Sequence, residues 1–142
     1  MDIIKKPSLL ILIILSSFLF GCDKKAKPDM SEKQVATAFF NAIYNEKNLE
    51  KAISLSSNEF RLEMEKYHTV HNVARRLFNM SFDSVSLHTS AQKKQILDDY
   101  NIQVTMTVQF TGNRNGNKYK DYKKIQLIKE GDVWLVDKLL EY

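Results

Sequence analysis

Only a few side chains in this chain have the types and spacing that could do chemistry. Cys22 is the only cysteine among 142 residues, so its thiol has no partner for a disulfide within the chain. Glu65, His68 and His71 follow one another at spacings of three, which can place metal ligands on one helix face. A zinc shell needs about four such ligands, and no second histidine pair or cysteine completes one. We therefore expect no metal and no other cofactor, and Cys22 is the residue whose position needs an explanation.

The segment before Cys22 has the three parts of a secretory signal. Lys5 and Lys6 form a charged start, and twelve residues (9–20) then form an apolar run interrupted only by two serines. A signal peptide typically has an apolar region of about 7–15 residues, whereas about 20 are needed to span a bilayer. The sequence therefore predicts export.

The sequence Leu19-Phe20-Gly21-Cys22 resembles the lipobox of bacterial lipoprotein signals, although Phe20 occupies a position that more often holds a small residue. The resemblance implies that the Cys22 thiol takes up a diacylglyceryl group and that the signal, residues 1–21, is cut after Gly21. It also implies acylation of the new amino group, and two or more acyl chains hold a protein stably at a membrane. The alternatives are an ordinary secretory signal with an incidental cysteine and a short anchor that is not cut.

The residues after the lipobox predict where the protein resides. Asp23 resembles the signal that retains lipoproteins of enteric-type bacteria at the inner membrane. We expect a lipid-anchored protein at the cell membrane, facing the periplasm or the exterior. Residues 22–29 form a polar, lysine-bearing tether, and its seven residues after Cys22 reach at most about 23 Å. The folded domain, residues 30–142, is therefore expected close to the bilayer.

Length and charge limit the possible partners. Without its signal, which holds two lysines and one aspartate, the chain has 121 residues with 19 basic and 16 acidic side chains, a net charge of +3. This length suits one domain that folds without disulfides. The mild positive charge favours contact with anionic lipid headgroups, and export argues against nucleic acid as a partner.

Three helices, two short and one long, are predicted in the first half of the domain. Ser31 and Gln34 form a capping box for the first, and Asn48 caps the second. Ser56 and Glu59 form another capping box before the long third helix, whose apolar face repeats at spacings of three and four. That face consists of Phe60, Met64, Tyr67, His71, Ala74 and Phe78.

Four strands are predicted in the second half, as an antiparallel meander. The alternation over 100–111 is unbroken and indicates a strand with one buried face. A weaker strand precedes it at 82–89. Asn115-Gly116 is a strong hairpin signal, and two further strands cover 118–129 and 133–140.

The turns between these strands fix the directions of the side chains. A two-residue turn at Asn115-Gly116 sets Met106 opposite Ile125, and one at Glu130-Gly131 extends the core row into the last strand. The core row of that strand is then Trp134, Val136 and Leu140. The apolar residues on the opposite face are Ile128, Val133, Leu135 and Leu139. Four apolar side chains on a nominally exposed face predict a contact surface for a homodimer or for another envelope protein.

The order of these elements resembles the nuclear transport factor 2-like, or cystatin-like, fold, especially the small domains behind many bacterial lipoprotein signals. Residues 35–43, 48–52 and 129–136 carry the resemblance. It implies an α+β domain whose helices cover a curved four-stranded meander. The fold hosts isomerases, dehydratases, carriers and interaction modules, so it does not define a function.

Enzymes of this fold keep an Asp, His or Tyr in a cone between helices and sheet, where burial raises the pKa of a carboxyl and makes it a base. The predicted inward rows contain no carboxylate. Their candidate pocket residues are Tyr67, His71, Tyr100 and Trp134. We therefore expect a non-enzymatic binding module with no catalytic residue. The alternatives are a small apolar ligand in the cone, unless phenylalanines fill it, and an isomerase-like or dehydratase-like enzyme.

The lipobox prediction has a direct chemical test. Globomycin blocks the peptidase that cuts lipoprotein signals, so treated cells should accumulate the precursor that retains residues 1–21. Immunoblotting of the two chain lengths measures this. Normal processing in the presence of globomycin would contradict lipidation at Cys22.

Overall fold

The computed structural model describes residues 29–98 and 101–141, without the side chains of residues 91 and 92. Helical segments come first and an antiparallel sheet follows, which confirms the predicted α+β class. The predicted signal, Gly21, Cys22, the tether up to residue 28 and Tyr100 lie outside the described residues. No helix within them is long and apolar enough to cross a membrane.

Local hydrogen bonds explain where the first two helices begin. Helix α1 is Glu32–Tyr44, and Ser31 and Gln34 form the predicted capping box at its start. Helix α2 is Leu49–Ser54, and the Asn48 side chain accepts a hydrogen bond from the Lys51 backbone, as predicted.

The prediction of one long third helix is wrong, because the structure has two separate helical segments in this region. Helix α3 is Asn58–Glu65, and helix α4, Val70–Asn72, continues as a π-helical turn, Val73–Leu77. His68 lies between them at φ 63°, a left-handed conformation that cannot continue a right-handed helix. The cap is also one residue later than predicted, since Ser57, rather than Ser56, accepts from the Phe60 backbone.

The sheet consists of four antiparallel strands in sequence order. They are β1 (Ser84–Ile96), β2 (Ile102–Arg114), β3 (Asn117–Glu130) and β4 (Val133–Leu140). Strand β1 is longer than the predicted 82–89 because it pairs with β2 as far as Ile96, across a bulge between Ala91 and Lys93. Apolar and polar residues alternate only weakly along β1, so the sequence did not indicate the full length of the strand.

The β2–β3 hairpin follows the sequence prediction. Arg114 pairs with Asn117 and leaves Asn115-Gly116 as a two-residue turn with both φ angles positive, the geometry that matches the twist of the strands. Met106 pairs with Ile125, as predicted.

The β3–β4 hairpin differs from the prediction at two points. Glu130 pairs with Val133, so the turn is Gly131-Asp132 rather than Glu130-Gly131. This shift of two residues keeps the predicted facing of Trp134 and Val136. A bulge at Asp137 then reverses the facing of the residues after it, because Gln126 pairs with Lys138 while Leu127 pairs with Val136. As a result Leu139 pairs with Ile125 and packs on the core. The prediction had placed Leu140 on the core side instead.

A short segment closes part of the β4 edge. Ser56 forms a parallel bridge with Val136, whose N–H donates to the Leu55 carbonyl at 2.9 Å. The Ser57 N–H donates to the Val136 carbonyl at 2.9 Å. The start of α3 is thereby fixed against the sheet, and this part of the edge is not open to another strand.

The left-handed residue between α3 and α4 generates a stability prediction. Replacing His68 by glycine should raise the free energy of unfolding by up to about 1 kcal/mol, because glycine adopts positive φ without a Cβ penalty. Lys66→Gly is the matched control at φ −59°, and it should not raise stability, because glycine relieves no positive-φ strain there. Chemical denaturation measures both variants. Equal losses in the two would contradict the strained backbone at His68.

Candidate functional site

The cone between helices and sheet is filled by aromatic rings. Phe40 on α1 meets Phe110 on β2 edge to face, with ring centroids 4.8 Å apart, and meets Phe78 at 5.3 Å. Phe39 and Tyr44 join the same cluster, and both are fully buried. Met64 and Met106, whose adaptable side chains could line a ligand cone, are also fully buried. Side chains of the described residues therefore occupy the place between helices and sheet that was considered for a small apolar ligand.

The structure does not bring the predicted pocket residues together. Tyr67 is half-buried and packs on the core, whereas His71 is exposed with its Nε2 3.4 Å from Arg75 Nη1. Trp134 is buried and lines a different cavity from His71, together with Met30 and Val35 at the start of α1. Tyr100 lies outside the described residues. His71 faces solvent because the break at His68 changes the helical phase that the sequence suggested.

The predicted contact surface is divided as well. Ile128 and Val133 are half-buried, but Leu135 is only 5% exposed and Leu139 packs on the core. The bulge at Asp137 accounts for Leu139. Leu135 is buried without belonging to the main core cluster, and it lies instead in a groove at the edge of the domain.

This edge groove is a concavity with a largely apolar lining. Its volume is about 360 Å³. Its apolar lining consists of Met30, Val35, Ala38, Leu55, Val133, Trp134 and Leu135. Lys51 and Ser54 on α2 supply polar atoms at its rim. Such a groove can accept apolar side chains and orient them with few polar contacts.

Three local features create the edge groove. Met30 precedes the capping residue Ser31, where an apolar side chain folds back against the helix. Ala38 is a small residue on α1, so the helix face has space beside it. The turn at Gly131 brings Val133 to the start of β4 and next to Met30. The sequence contained each signal, but it did not show that helix start and strand start meet.

Sequence reasoning missed Tyr44, the most unusual polar group in the core. Its side chain is fully buried, and its hydroxyl has no hydrogen-bond partner among the described residues. Burial, and secondarily the carboxylate of Asp121, raise the pKa of this hydroxyl well above its usual range. Tyr44 and His71 both line a cavity of about 250 Å³, whereas the predicted Tyr67 is not part of its lining. A neutral phenol can donate a hydrogen bond there, but it does not act as a base near neutral pH.

The spacing of Glu65, His68 and His71 does not form a helical metal site. Helix α3 ends at Glu65, and His68 has left the helical conformation. Within the described parts of the chain, no group of three or more His, Cys, Asp or Glu side chains could hold a metal ion.

Comparison with known proteins adds no assignment. No family model, no curated protein and no solved structure matches this chain. The function therefore has to be inferred from the residues and geometry described above.

The buried hydroxyl of Tyr44 generates a second stability prediction. Tyr44→Phe should raise the free energy of unfolding by about 1 kcal/mol or more, because it removes a desolvated polar group that makes no hydrogen bond. Tyr122→Phe is the control, since Tyr122 is 44% exposed and its hydroxyl reaches water. Denaturant unfolding compares the two variants. A loss of stability in Tyr44→Phe would show that the hydroxyl is hydrogen-bonded in solution.

Alkaline pH should reveal the same group. The raised pKa keeps Tyr44 neutral in the folded chain, while an unfolded tyrosine ionises near pH 10. Folding stability from this group is therefore complete below about pH 10 and falls by about 1.4 kcal/mol per pH unit above it. The difference in stability between the native chain and Tyr44→Phe should follow this slope. A pH-independent difference would contradict the shifted pKa.

Proposed function

We propose that this chain is a membrane-anchored envelope lipoprotein whose single nuclear transport factor 2-like domain is a non-enzymatic binding module. The observation that carries the anchor is the position of Cys22, the only cysteine, directly after Gly21 and a twelve-residue apolar run. Helices at the N-terminal side of an antiparallel meander support the fold assignment. The acyl chains on Cys22 then make membrane lipid the constant partner of the protein.

Packing supports binding outside the cone. The interior that would hold a substrate is occupied by Phe40, Phe78 and Phe110 in mutual edge-to-face contact. No carboxylate is buried among the described residues, whose buried polar groups include the Tyr44 hydroxyl and the side chains of Ser56 and Ser57. A carboxyl group gains the raised pKa of a general base from burial, and none of the described carboxylates is buried.

The edge groove is the proposed recognition site. Its volume of about 360 Å³ is near the lower end of the range for ligand sites. That space suits one or two large apolar side chains from a protein partner, either another envelope protein or a second copy of this chain. Val133, Trp134 and Leu135 would contact the partner along one strand, while Lys51 would face polar groups at the rim.

Binding of a small apolar ligand in the same groove is the second candidate function. It is favoured by Trp134, a large flat side chain that lines the groove with Met30, since methionine adapts to ligands of irregular shape. A protein partner and a small ligand differ in the mass that a cross-link at the groove would add.

Photo-cross-linking in intact cells tests this site. A photoreactive amino acid at Val133 should form an adduct, and Ala38→Trp, which fills the groove, should reduce it by roughly tenfold. Lys33→Trp is the matched control, because Lys33 is exposed on the same helix and does not line the groove. It should leave the adduct unchanged.

The mass of that adduct decides between the candidates. A shift of protein size supports the interaction module, and a shift of a few hundred daltons supports the small ligand. An adduct that is equally abundant in the Ala38→Trp variant would contradict recognition through the groove. Circular dichroism of each variant verifies that the domain remains folded.

A further inference from the structure

We propose that the end of the sheet where β1 passes into β2 faces the lipid bilayer, and that Ile96 and Leu97 insert between its headgroups. The inference rests on the proposed lipid anchor at Cys22 and adds a second, direct contact between the domain and the membrane. The partner is therefore a lipid surface, recognised by apolar side chains.

Ile96 and Leu97 are the most exposed large apolar residues among those described. Ile96 is 71% exposed and Leu97 is 58% exposed. Single exposed apolar side chains are common on soluble proteins, but these two are consecutive and lie at the end of a strand. Removing both from water is favourable, and a bilayer interface provides the apolar surroundings.

The chain enters the domain at the same end of the sheet. Ile102 at the start of β2 pairs with Lys129, next to the turn that leads into Val133. Met30 lines the edge groove together with Val133. Leu97 lines a separate cavity together with Lys129 and Glu130. Ile96 and Leu97 therefore lie at the same end of the sheet as Met30, where the tether joins the domain.

The tether limits how far this end can be from the membrane. Seven residues separate Cys22 from Met30, and they reach at most about 23 Å when fully extended. The opposite end, at Asn115-Gly116, is roughly 40 Å away along the 13 residues of β2. An acylated Cys22 therefore keeps the end that carries Met30, Ile96 and Leu97 within reach of the bilayer, and this is the end that is proposed to contact it.

Hydrogen bonds tie Leu97 and Asp98, at the end of β1, to Asn101, just before β2. The Leu97 N–H donates to the Asn101 carbonyl at 2.9 Å, and the Asn101 N–H donates to the Asp98 carboxylate at 2.8 Å. Exposed charges of both signs flank this end, with Lys94 on β1 and Asp132 in the neighbouring turn. Asp98, beside Leu97, is exposed as well. Because the charges at this end are of mixed sign, the proposed contact depends on the apolar side chains, and uncharged lipid is the appropriate probe.

The single native cysteine makes a fluorescence experiment specific. Acylation blocks the thiol of Cys22, so Leu97→Cys introduces the only reactive thiol of the lipidated protein. The protein is purified from membranes, labelled with the environment-sensitive dye NBD and placed in phosphatidylcholine vesicles. We expect a blue-shifted emission that is quenched when the vesicles contain spin-labelled lipid. Addition of Ile96→Glu should reverse both changes.

Lys118→Cys is the matched control, because Lys118 is exposed at the opposite hairpin. Its label should retain the emission seen in water and resist lipid quenching. A label at Leu97 that behaves like the label at Lys118, while the protein still floats with the vesicles, overturns the inference and leaves the anchor intact. A blue shift without lipid quenching also overturns it, since a second copy would then cover the site.

The unsubstituted protein separates failure of the anchor from failure of the inference. If Cys22 is acylated, this protein takes up no dye. Labelling of the unsubstituted protein would show a free thiol at Cys22, and the lipid anchor and the membrane-facing end would then be overturned together.

Discussion

The contact of Phe40 with the sheet is the interaction on which the rest of the domain depends. Its ring packs against Phe110 of β2 at 4.8 Å and against Phe78 after the π-helical turn at 5.3 Å, so one side chain joins helix α1, the sheet and the last helical segment. Edge-to-face pairs contribute about 0.5–1.5 kcal/mol each beyond the burial of their area. These rings fill the space in which they meet between helices and sheet, and the surfaces proposed for binding lie at the edge of the domain.

The two surfaces proposed for binding are both consequences of how the chain meets its own sheet. The Leu55–Ser57 segment pairs with β4 at Val136. The three residues before Val136 on β4 form the edge groove together with Met30. Ile96 and Leu97 are exposed after β1, at the same end of the sheet as Val133 and the edge groove. A lipid anchor would hold this end at the membrane, so a partner in the groove would be met close to the bilayer.

Local signals in the sequence were sufficient where a short segment determines its own structure. Ser31, Asn48 and the Asn115-Gly116 turn behave as predicted, because each depends on hydrogen bonds or backbone angles within a few residues. Long-range features were missed. The apolar spacing continues through Tyr67 and Val70, which still pack on the core, so it concealed the break at His68. The bulge at Asp137 has no local signature, and it alone moves Leu139 to the core side. The predicted pocket residues and the predicted contact residues are therefore each divided. Trp134, from the first set, and Leu135, from the second, line the edge groove, which no periodicity in the sequence indicates.

Mass spectrometry of the N-terminal peptide of the membrane-bound protein tests the central claim most directly. A lipoprotein should give a peptide that begins at Cys22 and carries a diacylglyceryl group, with or without a further acyl chain on its amino group. A peptide that begins at Met1, or one that begins at Cys22 with an unmodified thiol, would contradict the account.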